Sequence, residues 1–285
     1  MNCLLCQGEK MKFLPIKIQS DEFAKKLYED GEVYMRSLHE FGSWGVFDQD
    51  EVLKNNYRAD LFSGVTEVFA SPEDSDLLRH SPDILKQRMK NCCYIDNGSP
   101  QYFKIYSLYC WDFENGQFQP VDERMRQFGD TAVIITNFQE FLRRVGYKLI
   151  DLFDPVSIMC DRMEFFDFSK TQAINPIFYK YAGQAYQKEL RIAACQLQEG
   201  VNPQRALKKD FSPVKFQIGA IDDITRIVPT DDLISGKVEI NGDEIVWPSS
   251  EVTDKSTNYD KAVAFTKAQM NIYRSSSVKP MFSLQ

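Results

Sequence analysis

Apolar residues run almost without interruption from Phe13 to Ile18, then recur at helical spacing in Phe23, Ala24, Leu27 and Tyr28 before Gly31. The first pattern predicts a strand. The second predicts a short helix with Ser20 or Asp21 as its cap and Gly31 as its stop. Glu32 to Leu38 alternates, which predicts a second strand with Val33, Met35 and Ser37 on one face and Tyr34, Arg36 and Leu38 on the other. Phe62–Phe69, the aromatic run Tyr102–Trp111 and the β-branched run Thr131–Thr136 predict further strands, the last central in its sheet. Pro82 predicts the start of a helix reaching Asn91. Asn137, with Glu140 three residues on, predicts a capping box for a helix over Phe138–Val145 that Gly146 ends, followed by a strand over Tyr147–Phe153. Late strands are expected at Phe211–Gly219 and Lys237–Trp247, the latter folded back at Asn241-Gly242. After Pro248 the composition turns polar, and a helix is expected over Asp260–Tyr273. The order predicts an α+β domain over 1–248, and over 249–285 a polar linker, a C-terminal helix and a tail. Strands outnumber helices and do not alternate regularly with them, which predicts an α+β fold with largely antiparallel twisted sheets rather than a doubly wound one.

One strand carries more polar character than a structural strand needs. Tyr186-Gln-Lys-Glu-Leu-Arg-Ile192 alternates at period two and predicts a half-buried strand. Gln187 and Glu189 then share one face, with Arg191 next in the row, while Lys188, Leu190 and Ile192 share the other. As a plain strand this is a solvated face with an edge-protecting charge row. As a site, it offers a carboxylate that can bond a sugar hydroxyl and stabilise positive charge at an anomeric carbon.

Composition narrows the function classes. With 285 residues, of which 43% are hydrophobic and 13% aromatic, the chain can bury a substantial core. Its net charge of −7 disfavours sequence-blind binding to nucleic acid or to an anionic membrane, since that needs clustered Lys and Arg. No apolar run is long enough to span a bilayer, and the N-terminus lacks the basic start and apolar centre of a signal peptide. The expectation is a cytoplasmic protein without a membrane partner, whose seven cysteines are reduced thiols. Cys3-x-x-Cys6 is half of a zinc knuckle, and Cys92, Cys93, Cys110 and His80 lack the paired spacing to complete it, so no metal is expected. Walker-type and Gly-x-Gly phosphate loops are absent.

The opening strand-helix-strand, followed much later by a strand bearing Gln187-x-Glu189, resembles the layout of ADP-ribosyltransferases. The segment Tyr186-Gln-Lys-Glu-Leu-Arg191 also resembles uncharacterised bacterial families, some of them linked to phage defence. The resemblance touches residues 12 to 45 and 177 to 194, and the Ser-Thr-Ser strand motif of the transferases has no counterpart here. It implies an ADP-ribosyltransferase-like core that takes NAD as substrate and cleaves the nicotinamide-ribose bond. It implies Glu189 as the catalytic glutamate and Gln187 as the residue orienting the acceptor. Arg36 is implied as the pyrophosphate contact, Tyr34 as a ring-stacking residue and Ser37 as a further NAD-binding residue. A phage-defence or toxin effector acting on a macromolecular acceptor is implied with it.

Other constellations stand beside this one. Ser37-Leu-His39-Glu40-Phe41 leads into a Gly-Trp-Gly loop through Trp44 to Phe47, which either frames a ligand or caps the core. Asp130 stands at the start of the Thr131 strand, and Asp48, Asp50 and Glu51 form an acidic loop. The competing function is a non-enzymatic binding protein, a sensor or inhibitor in a defence or counter-defence system, with the aromatic loop as its interface. A buried Glu189 paired with Arg191 or a Lys away from any pocket would favour binding. An open cleft joining Glu189, Arg36 and Tyr34 would favour the enzyme.

Overall fold

The computed structural model describes residues 13–43, 65–71, 74, 92–95, 99–153, 156–198, 207–240, 242 and 245–246. Its elements, in chain order, begin with β1 (Phe13–Gln19), α1 (Asp21–Asp30), β2 (Glu32–Ser37), α2 (Leu38–Ser43), β3 (Val65–Phe69) and β4 (Cys92–Ile95). Then come β5 (Lys104–Glu114), β6 (Gln117–Phe118), β7 (Thr131–Ile135), α3 (Phe138–Leu152), β8 (Val156–Arg162) and β9 (Glu164–Phe166). The last are β10 (Gln172–Ala173), β11 (Tyr179–Tyr181), β12 (Glu189–Gln196), β13 (Val214–Gln217), β14 (Thr225–Pro229) and α4 (Thr230–Ile234). The fold is α+β, with few helices and mostly antiparallel sheets. Among the described residues only β9 and β11 pair in parallel.

The main sheet runs β13-β2-β5-β1-β7-β14, with β12 on the other edge of β5 and β8 beyond β12. One face is apolar and covered by the two longer helices. Ala24 and Leu27 of α1, with Phe138, Phe141, Val145 and Leu149 of α3, bury against Val33, Met35, Leu108, Val133 and Ile192. Each fully buried large side chain there contributes about 1.5–3 kcal/mol. The opposite face carries two further apolar clusters, one around Ile16, Tyr109 and Ile134 and one around Ile105, Met159 and Phe178.

A parting of the strands shapes this second face. Ile105 pairs with Arg36 of β2, and Tyr109 pairs with Ile16 of β1, both on the edge of β5 opposite β12. Between them β1 and β2 diverge. The Lys17 ammonium reaches into the gap and donates to the Ser107 carbonyl at 2.8 Å.

Several expectations hold and others are corrected. β1, α1 and β2 fall where the pattern puts them, and Gly31 stops α1 in the left-handed conformation, φ 63°. Ser20 stands at the N-cap without a side-chain bond, and the carboxylate of Asp130 takes the Asp21 N–H instead, at 3.1 Å. Leu38 begins α2 rather than ending β2. The predicted helix stop at Gly146 and strand over Tyr147–Phe153 are wrong, because α3 continues to Leu152. The apolar spacing Phe138, Phe141, Val145, Leu149 keeps one face buried through Gly146, which is itself buried, so packing outweighs the propensity cost of glycine. The strand expected at Phe211–Gly219 shrinks to Val214–Gln217, and no described residue between 237 and 246 is in a strand. The helices expected at 82–91 and 260–273, the Trp44–Phe47 loop, the Asp48–Glu51 loop, Cys3, Cys6, His80 and the 249–285 unit lie outside the described residues.

Half of the expected capping box forms. Asn137 Oδ1 accepts from the Glu140 N–H at 3.1 Å, but the Glu140 carboxylate is taken by Arg143 and Arg144. Asn137→Ala is expected to cost about 1 kcal/mol, read as a lower urea midpoint with an unchanged slope. An unmoved midpoint would show that the cap contributes nothing.

Candidate functional site

Glu189 opens β12, and the chain before it is not the strand its alternation predicts. Residues Ala182–Gln187 form a 3-10 turn, and Lys188 takes φ 37°, a left-handed conformation that costs a non-glycine residue energy. The Lys188 ammonium is tied to Asp112 at 2.6 Å, which helps to hold this bend. β12 is buried on both faces, not half-buried. Gln187 and Glu189 therefore do not share a strand face. They meet through a third residue, Lys180 of β11, whose Nζ donates to Gln187 Oε1 at 2.7 Å and to Glu189 Oε2 at 2.7 Å.

The other carboxylate oxygen is also occupied. Glu189 Oε1 accepts from Ser107 Oγ at 2.6 Å and from Arg191 Nε at 2.7 Å. Arg191 Nη1 in turn donates to the Ile177 carbonyl at 2.8 Å. Glu189 is 5% exposed, Lys180 6% and Arg191 1%, so three formal charges sit together out of water. Such a group persists only when its charges are paired and its hydrogen bonds are made. Burial alone would raise the Glu189 pKa. The charges of Arg191 and Lys180, with the bonds from Lys180 and Ser107, outweigh burial and hold the carboxyl well below the usual carboxylate range.

Register decides what else reaches this cluster. Ser107 faces Arg191, Tyr109 faces Glu189, and Ile105 faces Arg36, so all six lie on one face of the sheet. Tyr34 lies on that face too, with the Arg36 guanidinium 5.2 Å from its ring centre. A cavity of about 500 Å³ opens over the parting of β1 and β2, and Glu189, Gln187, Lys180, Arg36 and Tyr34 all line it. Five basic side chains line it (Lys17, Arg36, Lys180, Arg191 and Lys215) against two acidic ones, Glu32 and Glu189. A chain of net charge −7 thus lines one cavity with a formal excess of three positive charges, which favours an anionic occupant. At Glu32 one of these cations is already paired, with Lys215 at 2.7 Å.

Of the residues singled out from sequence, Glu189, Gln187, Arg36 and Tyr34 converge on the cavity. Ser37 does not: it is fully buried, points to the opposite face of β2 from Arg36, and its Oγ has no hydrogen-bond partner among the described residues. His39 stacks on Phe211 with ring centres 4.4 Å apart. Asp130 caps α1. Cys110, Cys160 and Cys195 are buried and form no disulfide, and no group of three or more His, Cys, Asp or Glu able to hold a metal occurs among the described residues. Pattern reading gave no role to Lys180 or Ser107. Ser107 left one signal, the one small aliphatic hydroxyl in the apolar and aromatic run Ile105-Tyr-Ser-Leu-Tyr-Cys-Trp111.

No protein-family model, no curated protein and no solved structure matches this chain. No helix among the described residues is long and apolar enough to cross a membrane.

Proposed function

We propose that the protein is a cytoplasmic, ADP-ribosyltransferase-like enzyme that cleaves the nicotinamide-ribose bond of NAD. One observation carries this reading: Glu189, Gln187, Arg36 and Tyr34 line a single cavity with a positive excess. Arg36 presents a planar fork suited to the pyrophosphate. Tyr34, 40% exposed, offers a ring face for stacking. Glu189 stays ionised and can accept a ribose hydroxyl while positive charge develops at the anomeric carbon. Gln187, held by Lys180, borders the same space for an acceptor, either water or a macromolecule. Purified protein is expected to release nicotinamide from NAD, and Glu189→Gln to abolish the release. Absence of release by the wild type, with no NAD-dependent rise in its melting temperature, would overturn the reading.

A second reading has its own support. Arg191 and Lys180 leave the Glu189 cluster with a formal charge of +1, which opposes a developing cation. On this reading the cavity binds an anionic nucleotide without cleaving it, and the protein is a non-enzymatic sensor or inhibitor. Wild-type protein stabilised by NAD with no nicotinamide released would select it.

A further inference from the structure

We propose that Lys180 is a ligand-contacting residue that, with Glu189, selects a hydroxyl of a ribose-type ligand. The inference rests on the dinucleotide reading of the cavity and adds a contact which that reading does not assign.

An ammonium carries three N–H donors. Lys180 uses two, on Gln187 Oε1 and Glu189 Oε2. The third has no partner among the described residues, although Lys180 is only 6% exposed. A buried cation with a donor unmet is costly unless something else meets it. Lys180 lines the cavity, so a ligand there is in position to do so. Glu189 shows the complementary vacancy. Oε1 accepts two bonds and Oε2 accepts one, which leaves one acceptor position, on Oε2. The free acceptor therefore belongs to the oxygen that Lys180 touches, at 2.7 Å.

A donor and an acceptor so close together match a group that does both. A hydroxyl accepts from Lys180 through its oxygen and donates its proton to Glu189. A phosphate oxygen would satisfy Lys180 but repel Glu189, and an amine would do the reverse. Adjacent hydroxyls of a ribose can also divide the two bonds between them. The flanking apolar clusters around Ile16 and Ile105 limit competing water, which raises the cost of leaving either group unmet. The positive excess of the lining favours the same ligand when it is phosphorylated.

ADP-ribose, which has no nicotinamide bond to cleave, is the probe, together with analogues each lacking one hydroxyl of the terminal ribose. Calorimetric titration of the full-length wild type is expected to show about tenfold weaker binding when the contacted hydroxyl is absent. In Lys180→Met that preference is expected to shrink severalfold, because the hydroxyl loses its donor while Glu189 still accepts from it. If Lys180→Met does not fold, Lys180→Gln carries the test, because its two N–H donors are both claimed by Gln187 and Glu189. Equal wild-type affinity for ADP-ribose and every analogue overturns the assignment while leaving ADP-ribose binding intact. An undiminished preference in either folded variant also overturns it. No binding of ADP-ribose by the wild type overturns both this assignment and the dinucleotide reading beneath it.

Discussion

Arg191→Met is expected to destabilise the protein by about 3–5 kcal/mol, the typical cost of removing one partner of a buried ion pair. At about 2–4 °C per kcal/mol for a chain of this size, the melting midpoint falls by roughly 6–20 °C. The guanidinium is 1% exposed, donates to Glu189 Oε1, and ties β12 to the Ile177 carbonyl. Methionine fills much of the volume, so the loss is electrostatic and polar rather than a cavity effect. Glu189 would be left with one cation and an Oε1 served by Ser107 alone. The double variant Arg191→Met/Glu189→Gln separates this from simple loss of packing. Without a carboxylate to strand, it is expected to be more stable than the sum of the single losses by about 0.5–3 kcal/mol. Strict additivity would mean that the two side chains do not depend on each other. The same pairing pre-organises the carboxylate, which Arg191, Lys180 and Ser107 lock in place, so the proposed ligand would meet it without reordering.

What the sequence reveals about this site is what depends on near neighbours in the chain. The alternation Val33, Tyr34, Met35, Arg36 assigns the two faces of β2, and the structure keeps that assignment. Tyr34 and Arg36 are legible for this reason, as is the pairing of Glu189 with Arg191 two residues on. Period two also misleads. Tyr186–Ile192 alternates as a strand would, yet Lys188 is left-handed and the strand starts only at Glu189. No local pattern marks that bend, because it is fixed by distant groups such as Asp112. Lys180 escapes for a related reason. It sits on a three-residue strand paired in parallel with β9, and its reach to Glu189 follows from that tertiary placement. The parting of β1 and β2, which opens the cavity, is likewise a relation between strands far apart in sequence. α3 shows the reverse failure: its helical periodicity continues in the sequence past Gly146, and giving the glycine the weight of a stop hid it.

Acid is expected to destabilise the protein through Glu189 more than through any surface carboxylate. Its folded-state pKa lies below the ordinary value of 4.5, because Arg191 and Lys180 outweigh the effect of burial. The unfolded chain therefore takes up a proton at Glu189 before the folded protein does. The stabilisation is fully present above 4.5 and is lost as pH falls below it toward the folded-state value. The slope of the loss is about 1.4 kcal/mol per pH unit from this one group, or about 2 kcal/mol between pH 4.5 and 3. Glu140 is also held down, to about 2, chiefly by its bond from Arg143, but it lies near the surface where solvent screens its contribution. Glu189→Gln isolates the contribution of the buried carboxylate. At pH 7 the variant is the less stable protein, since it leaves Arg191 and Lys180 as two buried cations without a counter-charge. As pH falls through the acid limb the wild type should lose its advantage and the two stability curves should converge. Urea unfolding at intervals from pH 7 to pH 3 measures the gap directly. A gap that stays constant across that range would mean that Glu189 titrates alike in the folded and unfolded chains, and that the cluster around it does not stabilise its charge.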